Sequence, residues 1–119
     1  VADSAFAAIE DMLIKLVTFP ALRPGIRFFV RLETGLTPAD FRPVDRMREI
    51  SPRPVLILQG EADATVPPDS ALRLYQAAGE PRFLWTEPGV DHVGLYAAYS
   101  ERFEEEVIAF FDCYLLGER

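Results

Sequence analysis

Four residues, Val55-Leu56-Ile57-Leu58, constrain the fold of this 119-residue chain more than any other stretch. The run is wholly aliphatic and half β-branched. It follows Ser51-Pro52-Arg53-Pro54, where two prolines force an extended lead-in, and it ends at Gly60. A strand without polar alternation is buried on both faces, as happens in a parallel sheet covered by helices. The run therefore predicts an α/β protein.

The residues that follow support that class. Asp69 or Ser70 starts a predicted helix through Leu72, Leu74, Tyr75 and Ala78, stopped by Gly79. Phe83-Leu84-Trp85-Thr86 is a second predicted strand, closed by Pro88-Gly89. Ser100 then caps a long helix whose Phe103, Val107, Phe110, Phe111, Tyr114 and Leu115 keep the helical period as far as Gly117. Residues 51–119 thus read as a βαβα unit with a right-handed crossover. Two parallel strands leave a bare, apolar edge, so a further segment or a second copy of the chain is expected to complete the sheet.

Residues 1–50 are helical, interrupted and short of strand signals. Ser4 or Asp3 is placed to cap a helix from Ala5 to Val17, with Phe6, Ile9, Leu13, Leu16 and Val17 as its apolar stripe. Pro20 and Pro24 break it, and a second helix runs to Thr34, closed by Gly35. Arg23, Arg27 and Arg31 recur at steps of four, on one face of that helix. Thr37-Pro38 signals another start, and Pro43 to Glu49 a further turn or two. The whole chain is treated as one partial domain.

Composition removes several functions. Half the residues are hydrophobic, with nine Phe, four Tyr and one Trp, which excludes disorder. A single cysteine, Cys113, and a single histidine, His92, exclude a disulfide framework and a multi-histidine metal centre within one chain. The net charge of −7 argues against nucleic acid as a partner. Residues 15–53 nevertheless carry eight bases against four acids, so a basic segment precedes an acidic remainder. That segment is either a solvated helix face or an aid to attracting an anionic substrate. No apolar run approaches the ~18 residues that span a bilayer. The opening Val1-Ala2-Asp3-Ser4 has neither an initiator Met nor a signal-peptide pattern, so the expectation is the interior of a longer, cytoplasmic chain.

Two loops can carry chemistry. Asp63, in Gly60-Glu61-Ala62-Asp63-Ala64-Thr65-Val66-Pro67, lies just past the carboxyl end of the buried strand, where open α/β sheets place functional groups. An Asx-turn shaping the loop is the structural alternative. His92, in Pro88-Gly89-Val90-Asp91-His92, lies just past the next strand. Adjacent parallel strands thus deliver an Asp and a His to the same sheet edge. A carboxylate there can orient one imidazole nitrogen and leave the other free as a general base. Asp91 is expected to face solvent and Trp85 to lie in the core. Cys113 is expected to pack, and Asp45 and Glu49 to mark a helix face rather than a metal site.

The stretch from Pro54 to Pro67 resembles the acid-bearing strand and loop of α/β-hydrolase fold enzymes, an apolar run followed by G-x-x-D-x-x-V-P. Pro88-Gly89-Val90-Asp91-His92 resembles their histidine loop, and the helix with Phe110-Phe111 resembles their C-terminal helix. Within the superfamily the likeness is to serine esterases, dienelactone-hydrolase-like enzymes and prolyl-oligopeptidase-type peptidases. It covers about residues 51–117. Residues 5–50 look like a helical cap insertion, and Val1–Ser4 like the end of the preceding sheet strand. The resemblance implies the C-terminal part of an α/β-hydrolase parallel sheet, with two clear strands and an N-terminal stub.

The family's nucleophile stands in a G-x-S-x-G elbow, and the chain has none. Ser4, Ser51, Ser70 and Ser100 lack the flanking glycines. The resemblance therefore implies a segment supplying Asp63 and His92 to a triad whose nucleophile lies outside this sequence. It also implies an ester, thioester or peptide substrate and no metal or organic cofactor. A Cys or Asp nucleophile stays open. Two other readings remain: an inactive, hydrolase-derived oligomerisation or binding module, and a helical anion-binding adaptor using Arg23, Arg27 and Arg31.

Overall fold

A computed structural model describes residues 1–117. Its centre is a three-stranded parallel sheet in the order β1 (Ala2–Asp3), β2 (Val55–Gly60), β3 (Arg82–Glu87). Ala2 and Asp3 lie opposite Ile57 and Leu58, and β2 pairs with β3 along its full length, from Val55↔Arg82 to Gly60↔Glu87. The N-terminal stub is thus a true strand, and the chain has a partial α/β-hydrolase-type architecture.

All six residues of β2 are buried, because the strand has a hydrophobic cluster on each face. Val55 and Ile57 pack with Ala7, Met47, Ala71, Leu74 and Ala78. Leu56 and Leu58 pack with Trp85, Val90 and Leu95, backed by Phe103, Val107 and Phe110. The first cluster draws on residues 1–50, so part of the front segment covers one face of the sheet.

The helices are α1 (Ile9–Leu16), α2 (Arg23–Thr34), α3 (Ser70–Ala77), α4 (Leu95–Ala98) and α5 (Ser100–Phe111), with 3-10 turns across residues 38–50. Several differ from the sequence expectation. α1 starts at Ile9, not Ala5, because Asp3 and Ser4 extend the sheet: the Ser4 amide donates to the Leu58 carbonyl at 2.9 Å. Nothing in α1 is buried, so its apolar stripe is only partly covered. Pro24 does not break a helix; it sits in the first turn of α2, where a missing N–H is harmless. α2 ends as expected at Gly35, whose φ of 72° suits glycine. Gly79 has another purpose: a Cβ there would lie 2.7 Å from the Ser51 Cβ. Ser100 is the first residue of α5 rather than its cap, and a π-helical turn (Asp112–Leu116) continues the helix to Gly117. Cys113 lies exposed in that turn, not packed. Among the described residues no helix is long and apolar enough to cross a membrane.

Candidate active site

The loops after β2 and β3 meet at the carboxyl end of the sheet. Gly60 makes the meeting possible: a Cβ there would stand 2.2 Å from the Val90 carbonyl oxygen and 2.8 Å from that of Asp91. The Ala62 amide donates to the same Val90 carbonyl at 2.9 Å.

Asp63 and His92 are in hydrogen-bonding contact, His92 Nδ1 to Asp63 Oδ2, at 2.9 Å. The Asp63 side chain is fully buried, while that of His92 is 38% exposed. Asp63 also makes the Asx-type turn weighed as its alternative, for its Oδ1 accepts the Thr65 and Val66 amides, each at 2.7 Å. One carboxylate oxygen shapes the loop and the other meets the imidazole. Burial pushes the Asp63 carboxyl up, but the His92 hydrogen bond and the two amides outweigh it, holding the group below its ordinary value. From α1, Lys15 Nζ donates to the carbonyls of Asp63 at 2.8 Å and Val66 at 3.2 Å.

The histidine loop is strained and braced. Val93 has φ of 53°, uncommon for a β-branched residue, and its amide donates to Ser4 Oγ at 3.0 Å. Ser4 itself sits at φ of 51°, and its hydroxyl donates to Asp3 Oδ1 at 3.2 Å. Burial raises the Asp3 carboxyl, opposed by Ser4 and by the nearby His92. On the other side, Asp91 Oδ1 accepts the Ala64 amide at 2.9 Å and the His92 amide at 2.7 Å. Asp91 is exposed, as expected, but its carboxylate is engaged.

The other candidates lie elsewhere. Ser51 Oγ donates to the Glu80 carbonyl, and Ser70 Oγ is buried without a partner. Among the described residues no serine hydroxyl bonds the His92 ring. Arg23 caps α1, donating to the Ile14 and Val17 carbonyls at 3.0 and 3.3 Å, so one of the three arginines is engaged by the chain itself. Asp45 and Glu49 pair with Arg42 and Arg46. Trp85 is buried, with Nε1 on Glu87 at 2.8 Å. No group of three or more His, Cys, Asp or Glu side chains among the described residues is arranged to hold a metal. Ser4, Lys15 and Asp91 were missed as supports because their partners lie 89, 48 and 27 residues away. Only the Asp91-His92 adjacency was a signal.

An uncharacterized protein of Pseudomonas aeruginosa, PA2218, is 39% identical over 70 residues, which make up 58% of this chain and 18% of that protein. The Pyrococcus furiosus esterase PF2001 superposes with a TM-score of 0.61 and 15% identity, over 94% of this chain and 43% of the esterase. That likeness is one of fold. The chain spans less than a fifth of the length of the first protein and less than half of the second. The sequence profile of the prolyl oligopeptidase family matches residues 35–118. Since that match runs through β2, β3 and α5 and takes in both the Asp63 and the His92 loops, the chain belongs to the prolyl oligopeptidase family, on an α/β-hydrolase-type fold.

Proposed function

We propose that Asp63 and His92 are the acid and the general base of a hydrolase triad acting on an ester, thioester or peptide, with the nucleophile supplied from outside these 119 residues. The observation that supports this best is the 2.9 Å contact between Asp63 Oδ2 and His92 Nδ1, beyond the ends of neighbouring parallel strands. An ionised Asp63 only accepts hydrogen bonds, so Nδ1 is assigned the proton and Nε2 keeps its lone pair. Nε2 takes the proton of the attacking group. The imidazolium, stabilised by Asp63, then gives that proton to the leaving group as the acyl-enzyme forms. Water repeats the sequence to release the acid. The cycle needs neither a metal nor an organic cofactor.

The sequence holds no G-x-S-x-G elbow, which in such enzymes supplies the nucleophile and one oxyanion-hole donor. The chain alone should therefore turn over p-nitrophenyl acetate negligibly. The test is complementation with an N-terminal family half bearing the G-x-S-x-G elbow. Turnover should then appear, fall about 10⁴-fold with Asp63→Asn, and fall by about 10⁶-fold with His92→Ala. Activity in the assembled enzyme that survives both changes sinks the reading. The alternative, an inactive binding module, is favoured by the exposed apolar side chains of α2, Phe28, Phe29 and Leu32.

A further inference from the structure

The Asp91 carboxylate joins the two loops that present the acid and the base. Its Oδ1 accepts one amide from each, Ala64 at 2.9 Å and His92 at 2.7 Å. Ala64 directly follows Asp63, so this single oxygen fixes the backbone next to the acid and the backbone of the base. Apart from the Asp63–His92 contact itself, the contacts between the loops lie further back, at Gly60–Val90 and at the Ala62 amide. They set the separation of the loops but not the direction of the imidazole. The Val93 amide is fixed independently by Ser4 Oγ. With Asp91 in place, the consecutive His92 and Val93 amides are anchored to Asp91 Oδ1 and Ser4 Oγ, and the His92 ring meets Asp63.

We propose that Asp91 is a positioning residue, whose carboxylate oxygen clasps Ala64 to His92 and so holds the imidazole Nδ1 on Asp63. This rests on the assignment of Asp63 and His92 as a proton-relay pair. The two amides that Asp91 accepts, outweighing its slight desolvation, keep its carboxyl below the ordinary range, so it stays an acceptor through the neutral pH region. What matters is the acceptor atom rather than the charge, and Asn offers the same Oδ1.

The chain has one histidine, so its imidazole nitrogens give one set of ¹⁵N signals. The experiment records them at neutral to mildly alkaline pH, with thermal melting, for the wild-type chain, Asp63→Asn, Asp91→Ala and Asp91→Asn. Wild type should show a single tautomer protonated at Nδ1. Asp91→Ala should lose that signature and show the averaged tautomers of a free imidazole, and Asp91→Asn should restore it. A wild-type ring already averaged overturns the proton-relay assignment itself. A wild-type signature that persists in Asp91→Ala overturns the clasp alone, and so does an Asp91→Asn ring that behaves like the Ala variant. If Asp91→Ala does not fold, Asp91→Ser, which keeps a polar group too short to bridge the loops, takes its place and is expected to show the averaged ring. If neither folds, Asp91 is a structural residue and the clasp is overturned.

Discussion

Asp63 divides its oxygens between two tasks, and this decides how the site responds to acid. Oδ1 holds the turn and Oδ2 meets His92, both in a fully buried side chain. Its carboxyl is held below the ordinary value in the folded chain, so the unfolded chain binds its proton at a higher pH. The stabilisation is therefore present above the unfolded carboxylate pKa of about 4 and is lost as pH falls through the folded value. Denaturant melts from pH 6 down to pH 2 should show this acid loss, and Asp63→Asn should flatten it. Asp3, raised by burial, works in the opposite sense and partly masks the effect. An equal acid slope in the Asn variant would place the lost stability elsewhere.

Ser4 is the residue whose surroundings say most about what it is not. It follows a strand at positive φ, as an elbow nucleophile does, yet its hydroxyl is spent between the Val93 amide and Asp3. Ser4→Ala leaves that amide without its partner. About 1–2 kcal/mol of stability should be lost, the range for a part-buried donor stripped of its acceptor. Ester turnover by the chain should not change. Esterase-level turnover by the chain that Ser4→Ala abolishes without loss of stability would make Ser4 a nucleophile.

At the scale of elements, glycine placement separates contacts that must stay close from those that need not. Gly60→Ala forces a methyl group onto the backbone of Val90 and Asp91, neither of which is a flexible side-chain tip. The expected cost is about 1–3 kcal/mol, as for other overpacked interiors. Gly25, in the first turns of α2, has nothing within 4 Å of its would-be Cβ. Gly25→Ala should stabilise α2 by up to about 1 kcal/mol through backbone entropy. Paired thermal melts check both signs, and a neutral Gly60→Ala would mean the loops can part without loss.

The strands were legible because β2 and β3 are written in short-range pattern. An unbroken aliphatic run between prolines and a glycine (β2) and an aromatic-rich run closed by Pro88-Gly89 (β3) need no distant partner to be recognised, and the candidate residues follow these strands. The start at Asp69-Ser70 was legible too, but that of the first helix was not. Asp3 and Ser4 look like caps, but pairing with β2 takes them into the sheet. Arginines mislead in the same way. Arg23 closes the end of α1, and Arg82 donates to the Tyr75, Gln76 and Ala78 carbonyls at the end of α3 while stacking on Tyr75. Periodic or isolated in sequence, both serve helix termini formed by other segments. Asp91, Lys15 and Ser4 act on backbone groups that only the tertiary fold brings near.

At the scale of the molecule, the remaining question is which surface lacks a partner. The strands Val1–Ser4 and Val55–Leu58 were the two expected pairing sites; β2 is the central strand, buried on both faces, which leaves the two-residue β1 and β3 as the edges of the sheet. Exposed apolar side chains lie both in the front segment and at the end of the last helix, where Leu115 and Leu116 stand out. Phe19, Leu22, Phe28, Phe29 and Leu32 are 57–70% exposed. The radius of gyration is 16.3 Å, against about 13.5 Å expected for a compact chain of this length. Covering those five side chains would gain roughly 5–9 kcal/mol per copy, allowing for what is already buried. In a two-fold pair both copies contribute, giving roughly 10–18 kcal/mol against an association cost of about 4–15 kcal/mol. The two ranges overlap, so the exposed patch makes self-association a proposal that only measurement decides. Each substitution in a two-fold contact counts twice, so Phe29→Glu should shift the chain to monomer with little change in melting temperature. Sedimentation over a concentration series tests both points. A cooperative monomer at the highest concentration would show that α2 tolerates its exposure and has no affinity for itself.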